Sequence, residues 1–451
     1  MATRADPADT AAALGRALGG RVTNLRRLSG GASRVTSSFD LEVAGASEPL
    51  ILQQVRGEGA AEEGKIGVEQ ALLASAAAVG VPVPAVVAMG QRDELGAGWL
   101  VVERLEGETI PRKILRDEEW ERARAALTGQ CGAALAAIHT IDPDTIEGLA
   151  KKDPLRRPLP FLDALGEVRP ALELGVRWLE SHRPTASSTV TVHGDFRNGN
   201  LLVGPDGLRA VLDWELAHGG DPAEDIGWLC APAWRFGGAG VVGGFGDLDD
   251  LLAAYGAAGG EHIDPARVHW WQVYATVKWA TICALQASVH LTAATRSVEL
   301  AAIGRRVCEN EWDLCRLLGV DPTSDAPTPG PGAGVTAPFG RPTAAELVEA
   351  VREYLERSVM ERSEGGARFE ARVARNALST VERQLVLGPA LEAAHRDRLA
   401  ALGFDDDRAL AAAIRAGTFD DDWAEVAAAV AAAARDQLLV ANPGYLPAAS
   451  E

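Results

Sequence analysis

The chain has 451 residues, 47% of them hydrophobic, which is enough for two or three domains that each bury a core. With 44 Lys and Arg against 63 Asp and Glu, its formal net charge of -19 argues against binding to nucleic acid or to anionic membranes. The N-terminus lacks a basic start followed by an apolar core, and no run of about 18 apolar residues follows, so we expect a folded cytoplasmic protein.

The first part of the chain combines helical and β-strand patterns. Apolar periodicity predicts a helix over 10–18, strands over 35–43 and 49–55 and a helix over 67–79, and residues 99–107 are predicted to be a buried strand that leaves into a loop.

A glycine pair precedes the first of these strands. Gly30 and Gly31, followed by Ser33 and Arg34, form a segment whose backbone can approach a phosphate closely and point N–H groups at it. Alone, a Gly-Gly pair predicts an ordinary hairpin turn. Its position upstream of the polar stretch described next favours a phosphate-binding turn.

That polar stretch follows two predicted helices, over 118–141 and 170–179, and a strand over 189–192. The sequence of residues 193–200 is His-Gly-Asp-Phe-Arg-Asn-Gly-Asn. Short apolar runs then flank a Gly-Pro-Asp-Gly turn, which predicts a hairpin with polar groups at its outer ends.

Such a loop and hairpin bring Asp195, Asn200 and Asp213 into one small volume. An Asn and an Asp supply the hard oxygen ligands that Mg²⁺ prefers, together with substrate phosphates. The remaining Asp195 is then available to accept a proton from a substrate hydroxyl. Ordinary turn residues are the alternative, since Gly, Asn and Asp are common in turns.

The Asp-x-x-x-x-Asn spacing, the His-Gly-Asp opening and the Leu-Asp-Trp-Glu segment at 212–215 resemble the aminoglycoside phosphotransferase family, small-molecule kinases built on the protein-kinase fold. The resemblance covers about 25–318. It implies an α+β, protein-kinase-like bilobal fold, to which the chain adds an all-α bundle. The expected domains are an N-lobe over 1–105, a C-lobe over 106–320, a linker over 321–342 and a helical bundle over 343–451.

The resemblance also implies ATP and Mg²⁺ as cofactors, with Asp195 catalytic and Asn200 and Asp213 as metal ligands. The backbone at Glu103 and Leu105 corresponds to the hinge that recognises adenine. We expect His139 and His193 to be structural, and Asp225 to orient the catalytic loop, residues 193–200.

One position departs from the family pattern. Gln53 stands where the family has a phosphate-binding Lys or Arg on the third strand, and Glu69 is the natural helix partner of that cation. Arg56 or Lys65 are alternative sources of the charge.

The acceptor region is rich in tryptophan and poor in acids. Residues 265–298 contain no Asp or Glu, which disfavours polycationic antibiotics and favours a neutral or anionic hydroxyl compound with an apolar body. Some branches that this chain resembles act on hydroxylated acyl thioesters. The candidate acceptor contacts are Trp234, Arg235, Trp271 and Lys278, beside a glycine-rich segment, 237–246, predicted to be a mobile loop.

The last part of the chain is helical. Residues 321–342 contain six prolines and four glycines, a linker composition. Beyond them, helices over 343–358, 367–387, 391–402 and 423–440, with breaks at Gly388-Pro389 and Gly417, predict an antiparallel bundle. We expect it to pack on the kinase, to pair with a second copy of the chain, or to bind a partner enzyme. The five cysteines lack a Cys-x-x-Cys pair, which predicts reduced, buried thiols.

Two functional hypotheses follow. The first is an ATP- and Mg²⁺-dependent kinase that phosphorylates a small-molecule hydroxyl. The second is a catalytically idle, kinase-like scaffold for a partner enzyme, suggested by Gln53. A protein kinase is disfavoured because no activation segment follows Asp213.

Overall fold

The structure is a computed structural model that describes residues 7–28, 34–55, 60–151, 163, 168–185, 188–292, 297–320 and 342–447. The chain divides into two compact units, the first drawn from 1–152 and 185–268, the second from 153–184 and 269–451. Gly30, Gly31 and Ser33 of the predicted phosphate-binding turn lie outside the described residues, as do Arg56 and almost all of the predicted linker. The four-part domain division expected from the sequence stays a prediction.

The first unit begins with an antiparallel sheet of five strands in the order β1-β2-β3-β5-β4. The strands are β1 Arg21–Arg27, β2 Arg34–Val43, β3 Ala46–Val55, β4 Val86–Gly90 and β5 Trp99–Glu103. Leu50 and Leu52 of β3 are fully buried in one core with Leu14 and Trp99. Since side chains alternate along a strand, Gln53 lies on the opposite face of the sheet.

Two short sheets carry the polar stretch of the first unit. Strand β6, Val190–Val192, pairs with β9, His218–Gly220, and β7, Leu201–Gly204, pairs with β8, Gly207–Val211. The hairpin predicted from the two apolar runs is therefore confirmed.

Helices make up most of the remaining structure. In chain order they are α1 Pro7–Leu18, α2 Ala60–Ala78, α3 Arg92–Leu95, α4 Pro111–Arg116, α5 Glu121–Ile138, α6 Pro170–Ser181, α7 Ala223–Cys230, α8 Leu248–Ala257, α9 Pro265–Leu291, α10 Val298–Ile303, α11 Val307–Leu317, α12 Ala344–Tyr354, α13 Met360–Arg362, α14 Gly365–Ala401, α15 Asp407–Arg415 and α16 Ala424–Ala441. Within the described ranges, none is long and apolar enough to cross a lipid bilayer.

The second unit has a core shared by helices far apart in the chain. Leu174 of α6 and Cys315 of α11 are buried with Leu410, Ile414 and Val426 of α15 and α16. At the edge of this core, the Arg415 guanidinium binds Glu173 of α6, with 3.1 Å between Nε and Oε2, and also binds Asp163. The bundle helices are thus an integral part of the second unit.

Two details of the bundle differ from expectation. The predicted break at Gly388-Pro389 is wrong, because α14 runs through Pro389 as one helix of 37 residues. An internal proline removes a backbone hydrogen bond and costs about 3 kcal/mol. Here Leu387 and Leu391, on either side of it, pack in a common core against Leu439, and this burial offsets the cost. Helix α15 was not expected from the sequence.

Candidate active site

Asp195 lies in a buried loop directly after β6. Its Oδ2 accepts a hydrogen bond from Asn200 Nδ2 at 2.6 Å, and the same Nδ2 donates to the Asp195 backbone carbonyl at 3.0 Å. Its Oδ1 accepts from Trp228 Nε1 at 2.8 Å and from Arg197 Nε at 3.0 Å. These donors fix the carboxylate in one orientation, and its side chain remains 12% exposed. Asp195 and Asn200 therefore lie side by side, within the small volume expected from the sequence.

Asp225, at the start of α7, binds the backbone of this loop. Its two carboxylate oxygens accept the backbone N–H groups of His193, at 2.7 Å, and Gly194, at 2.8 Å. His139, directly after α5, contacts the same carboxylate at 3.3 Å. Burial acts to raise the pKa of Asp225, but these hydrogen bonds and the nearby histidines hold it below the ordinary value. Asp225 therefore stays ionised and orients the loop, as the family resemblance implied.

Asp213 stands beside this loop at the end of the hairpin. The Leu212 N–H donates to the Asn200 carbonyl at 2.9 Å, and Asp213 adopts a left-handed conformation with φ of 65°. Although Asp213 is exposed to solvent, desolvation by the surrounding protein, followed by the charges of Glu215 and Asp195, raises the pKa of Asp213 to about 7.

These groups suit a divalent cation. Because both N–H groups of the Asn200 amide donate to Asp195, the amide oxygen keeps its lone pairs for a ligand. Within the part of the chain that the structure describes, no cluster of three or more His, Cys, Asp or Glu side chains could hold a metal. A site of one carboxylate and one amide instead matches the way Mg²⁺ binds jointly to protein and substrate phosphates. The metal role of Asn200 and Asp213 stays a prediction.

Arg34 supplies a buried cation close to these acids. Its guanidinium forms an ion pair with Glu69 of α2, donates from Nη1 to Gln53 Oε1 at 3.2 Å, and lies with Nε 3.5 Å from Glu215 Oε2. Burial raises the pKa of Glu69 and the Arg34 charge opposes that shift. Lys65, the alternative named from the sequence, is exposed on α2.

The predicted hinge leaves the sheet at the end of β5. The Glu103 N–H donates to the Ala85 carbonyl at 2.9 Å and the Arg104 N–H to the Pro49 carbonyl at 3.1 Å. Leu105, two residues beyond Glu103, is half-buried. The adenine-binding role of Glu103 and Leu105 stays a prediction.

Of the candidate acceptor residues, Trp234 lies beside the catalytic loop. The Arg197 guanidinium stacks 4.5 Å from the Trp234 ring centroid, and the Trp228 ring is 5.4 Å away. Arg235 donates from Nη2 to the Cys230 carbonyl at 2.9 Å, so it caps the end of α7. Arg197 and Trp228 were not expected to be site residues, although Arg197 lies only two positions beyond Asp195.

The glycine-rich segment is folded against the same loop. Asn198 Nδ2 donates to the Gly243 carbonyl at 2.8 Å, and the Gly243 N–H donates to the Leu229 carbonyl at 3.1 Å. Within the segment, the Val242 N–H donates to the Gly246 carbonyl at 2.9 Å. The expected mobile loop is therefore a hydrogen-bonded support of the catalytic loop.

The other two candidates, Trp271 and Lys278, belong to the second unit on α9. Trp271 is 3% exposed and packs edge to face against Tyr274 at 5.1 Å. Lys278 Nζ lies 6.0 Å from the same tyrosine ring. In the first unit, Arg267 is ion-paired with Asp221 and Glu261. Its positive charge is therefore compensated. The lack of acids between residues 265 and 298 is thus weaker support for a neutral or anionic acceptor than the sequence alone suggested.

The fold is shared with a solved phosphotransferase structure. A putative aminoglycoside phosphotransferase from Ralstonia eutropha matches with a TM-score of 0.54 and 21% sequence identity, over 70% of this chain and 99% of that one. The protein thus has a protein-kinase-like fold, with an N-terminal antiparallel sheet, a helical body and a C-terminal helical region. The predicted fold class is confirmed.

The phosphotransferase enzyme family (APH) matches residues 24–271, more than half of the chain. The chain belongs to this family, and the resemblance drawn from the His-Gly-Asp and Leu-Asp-Trp-Glu motifs is confirmed. Residues 361–445 match a domain of unknown function, DUF6285.

Curated relatives are named as acyl-CoA dehydrogenases. Acyl-CoA dehydrogenase family member 10 of Mus musculus is 30% identical over 189 residues, covering 40% of this chain and 18% of that protein. Probable acyl-CoA dehydrogenase IBR3 of Arabidopsis thaliana is 32% identical over 171 residues, covering 33% of this chain and 20% of that protein. The chain spans about a fifth of the length of these relatives.

Proposed function

We propose that the protein transfers the γ-phosphoryl group of ATP, with Mg²⁺, to a hydroxyl group of a small molecule. The observation that carries this proposal is the Asp195 carboxylate, hydrogen-bonded to Asn200 at 2.6 Å and close enough to Asp213 to raise its pKa. A fixed carboxylate beside an amide and a second carboxylate is the arrangement that phosphoryl transfer to a hydroxyl requires.

Asp195 orients the acceptor hydroxyl and takes its proton. As the new oxygen–phosphorus bond forms, the bond between the γ-phosphorus and its bridging oxygen breaks and ADP leaves with that oxygen. Arg197, Trp228 and Asn200 hold the carboxylate by hydrogen bonds, so little reorganisation is needed during the step. Asn200 and Asp213 would hold Mg²⁺, which supplies charge neutralisation on the phosphates.

As the acceptor we propose an apolar or anionic hydroxyl compound, such as a hydroxyacyl thioester. Trp228 and Trp234 are buried side by side near Asp195, and the Arg197 guanidinium lies over the Trp234 ring. The relatives are named as acyl-CoA dehydrogenases, and a hydroxyacyl thioester shares the thioester portion of such substrates.

The idle-scaffold hypothesis rested on Gln53, which lacks the charge expected on β3. Arg34 donates a hydrogen bond to Gln53 at 3.2 Å, so a buried cation is present beside the altered position. This observation favours the catalytic hypothesis.

The test is ADP release, screened across hydroxyacyl thioesters, sugars, amino alcohols and aminoglycosides. With an accepted substrate, Asp195→Asn should lower turnover by about 10²- to 10⁴-fold because the proton acceptor is lost. MgATP binding, measured by calorimetry, should be retained.

The matched control is Asp206→Asn, which changes an Asp in the exposed turn between β7 and β8, with a side chain 80% exposed. It should turn over like the wild type. Wild-type turnover in Asp195→Asn would sink the catalytic assignment, and absence of MgATP binding to the wild-type protein would favour the scaffold.

A further inference from the structure

Arg34 and Gln53 share one face of the N-terminal sheet. Strands β2 and β3 are antiparallel, with Thr36 opposite Gln53 and Arg34 opposite Val55. Since side chains two positions apart point to the same side, Arg34 is the diagonal neighbour of Gln53. Such neighbours lie about 7–8 Å apart at their backbones, within reach of a long side chain. The positive charge of a side chain at position 34 can therefore lie in the same region as that of a side chain at position 53.

The contacts of Arg34 join three separate segments of the first unit. They reach Glu69 on α2, Gln53 on β3 and Glu215 just beyond Asp213. The Arg34 and Glu69 side chains are only 7% and 5% exposed. A guanidinium held on several sides by acceptors keeps one orientation.

The Arg34 charge also reaches the expected metal site. The Arg34 Nε lies 3.5 Å from Oε2 of Glu215, two positions beyond Asp213 in the chain. Arg34 is thus close enough to Asp213 to interact with phosphates that Asp213 would hold through a metal.

We propose that Arg34, on the second strand, is the cation that contacts the nucleotide phosphates, in place of a cation on the third strand. This inference rests on the proposed function. Glu69 and Gln53 act as positioning residues, since each binds the Arg34 side chain. This role of Arg34 also explains why the side chain at position 53 is uncharged. A lysine there would place a second positive charge beside Arg34, whereas Gln53 accepts one of its N–H groups.

The first test removes the buried ion pair as a unit. Arg34→Gln/Glu69→Gln leaves neither partner as an unpaired buried charge, which is the usual cause of misfolding at such sites. We expect MgATP affinity, measured by calorimetry, to fall about 10- to 100-fold, equivalent to about 1.4–2.8 kcal/mol. Adenosine affinity should be unchanged, because adenosine lacks phosphates.

The second test moves the cation. Arg34→Gln/Gln53→Lys returns a positive charge to β3 on the same face of the sheet and keeps a partner for Glu69. MgATP affinity should recover to within about tenfold of the wild-type value. The control Arg21→Gln removes an arginine of the same sheet whose side chain is 79% exposed, and it should bind MgATP as the wild type does.

The outcomes separate this inference from the function on which it rests. MgATP affinity that survives in Arg34→Gln/Glu69→Gln would overturn the role of Arg34 while leaving the kinase assignment standing. The same holds if Arg34→Gln/Gln53→Lys folds, as judged by thermal unfolding, but does not regain affinity. A wild-type protein that binds no MgATP would overturn both.

Discussion

At the scale of single residues, the expected metal site is dominated by negative charge. Asp213, Glu215 and Asp195 interact closely enough that the pKa of Asp213 is raised to about 7, with desolvation as the largest cause. ATP is itself an anion, so it meets unfavourable charge in the metal-free site. Nucleotide binding should therefore depend strongly on Mg²⁺, which compensates the negative charge of these carboxylates and that of ATP.

Asp213→Asn tests the metal role directly. The substitution keeps the size of the side chain but removes the anionic ligand. The Mg²⁺ concentration that gives half-maximal turnover should therefore rise at least about tenfold. The measurement is ADP release titrated with Mg²⁺ at fixed ATP. Asp206→Asn, at the exposed hairpin turn, serves as the control. An unchanged Mg²⁺ requirement would remove Asp213 from the metal site.

The sequence was informative wherever a site depends on local spacing. Asp195 and Asn200 are five positions apart, and their 2.6 Å contact follows from one loop. The role proposed for Arg34 depends instead on strand register, since Gln53 and Glu69 approach it from a neighbouring strand and a helix. No pattern within β2 contains that information.

At the scale of elements, the catalytic loop depends on a backbone conformation that few residues adopt. Gly194 has φ of 76°, and a Cβ placed there would lie 2.4 Å from the Leu216 carbonyl oxygen. The Gly194 N–H also donates to Asp225. The turn that presents Asp195 therefore requires glycine, both for its φ and for the close approach of residue 216.

Gly194→Ala should destabilise the first unit and distort the loop. The left-handed conformation costs an alanine about 1–2 kcal/mol, and the backbone clash adds to this, so turnover should fall together with the free energy of unfolding. Gly129→Ala, in the exposed part of α5 where a Cβ meets nothing within 4 Å, should instead stabilise by up to about 1 kcal/mol. Urea denaturation followed by tryptophan fluorescence compares the two, and equal stabilities would contradict the interpretation.

Element boundaries were predicted least well where tertiary packing overrides local preference. The glycine-rich segment near Gly243 has the composition of a mobile loop, yet Asn198 binds its carbonyl and holds it in place. Gly388 and Pro389 have the composition of a helix break, yet α14 continues through them. Both outcomes depend on partners that are distant in sequence.

At the scale of the whole molecule, the second unit is built from separated parts of the chain. Its core joins α6, which lies in the stretch matched by the phosphotransferase family, to α15 and α16, which lie in the matched domain of unknown function. The helical domain therefore contributes to the stability of a helix from the kinase-like part. Local periodicity predicted the amphipathic helices but contains no information on which of them pack together.

Ile414→Ala tests this dependence. Ile414 is 2% exposed in the shared core, so its truncation should lower the free energy of unfolding by about 2–5 kcal/mol. Leu385→Ala, on α14 with 44% exposure, is the matched control and should change it by less than about 1 kcal/mol. Thermal and chemical unfolding give both values. Similar losses in the two variants would contradict the assignment of this core.

The discontinuous core also sets an order of events during synthesis. Glu173 of α6 and its partner Arg415 are separated by 242 residues. At ~5–20 residues per second, about 10–50 s pass between their appearance on the ribosome. During that interval α6 presents Leu174 and its other apolar side chains without the helices that later cover them. We therefore expect the nascent chain to expose apolar surface between these two points, and slow translation of this stretch to prolong the exposure.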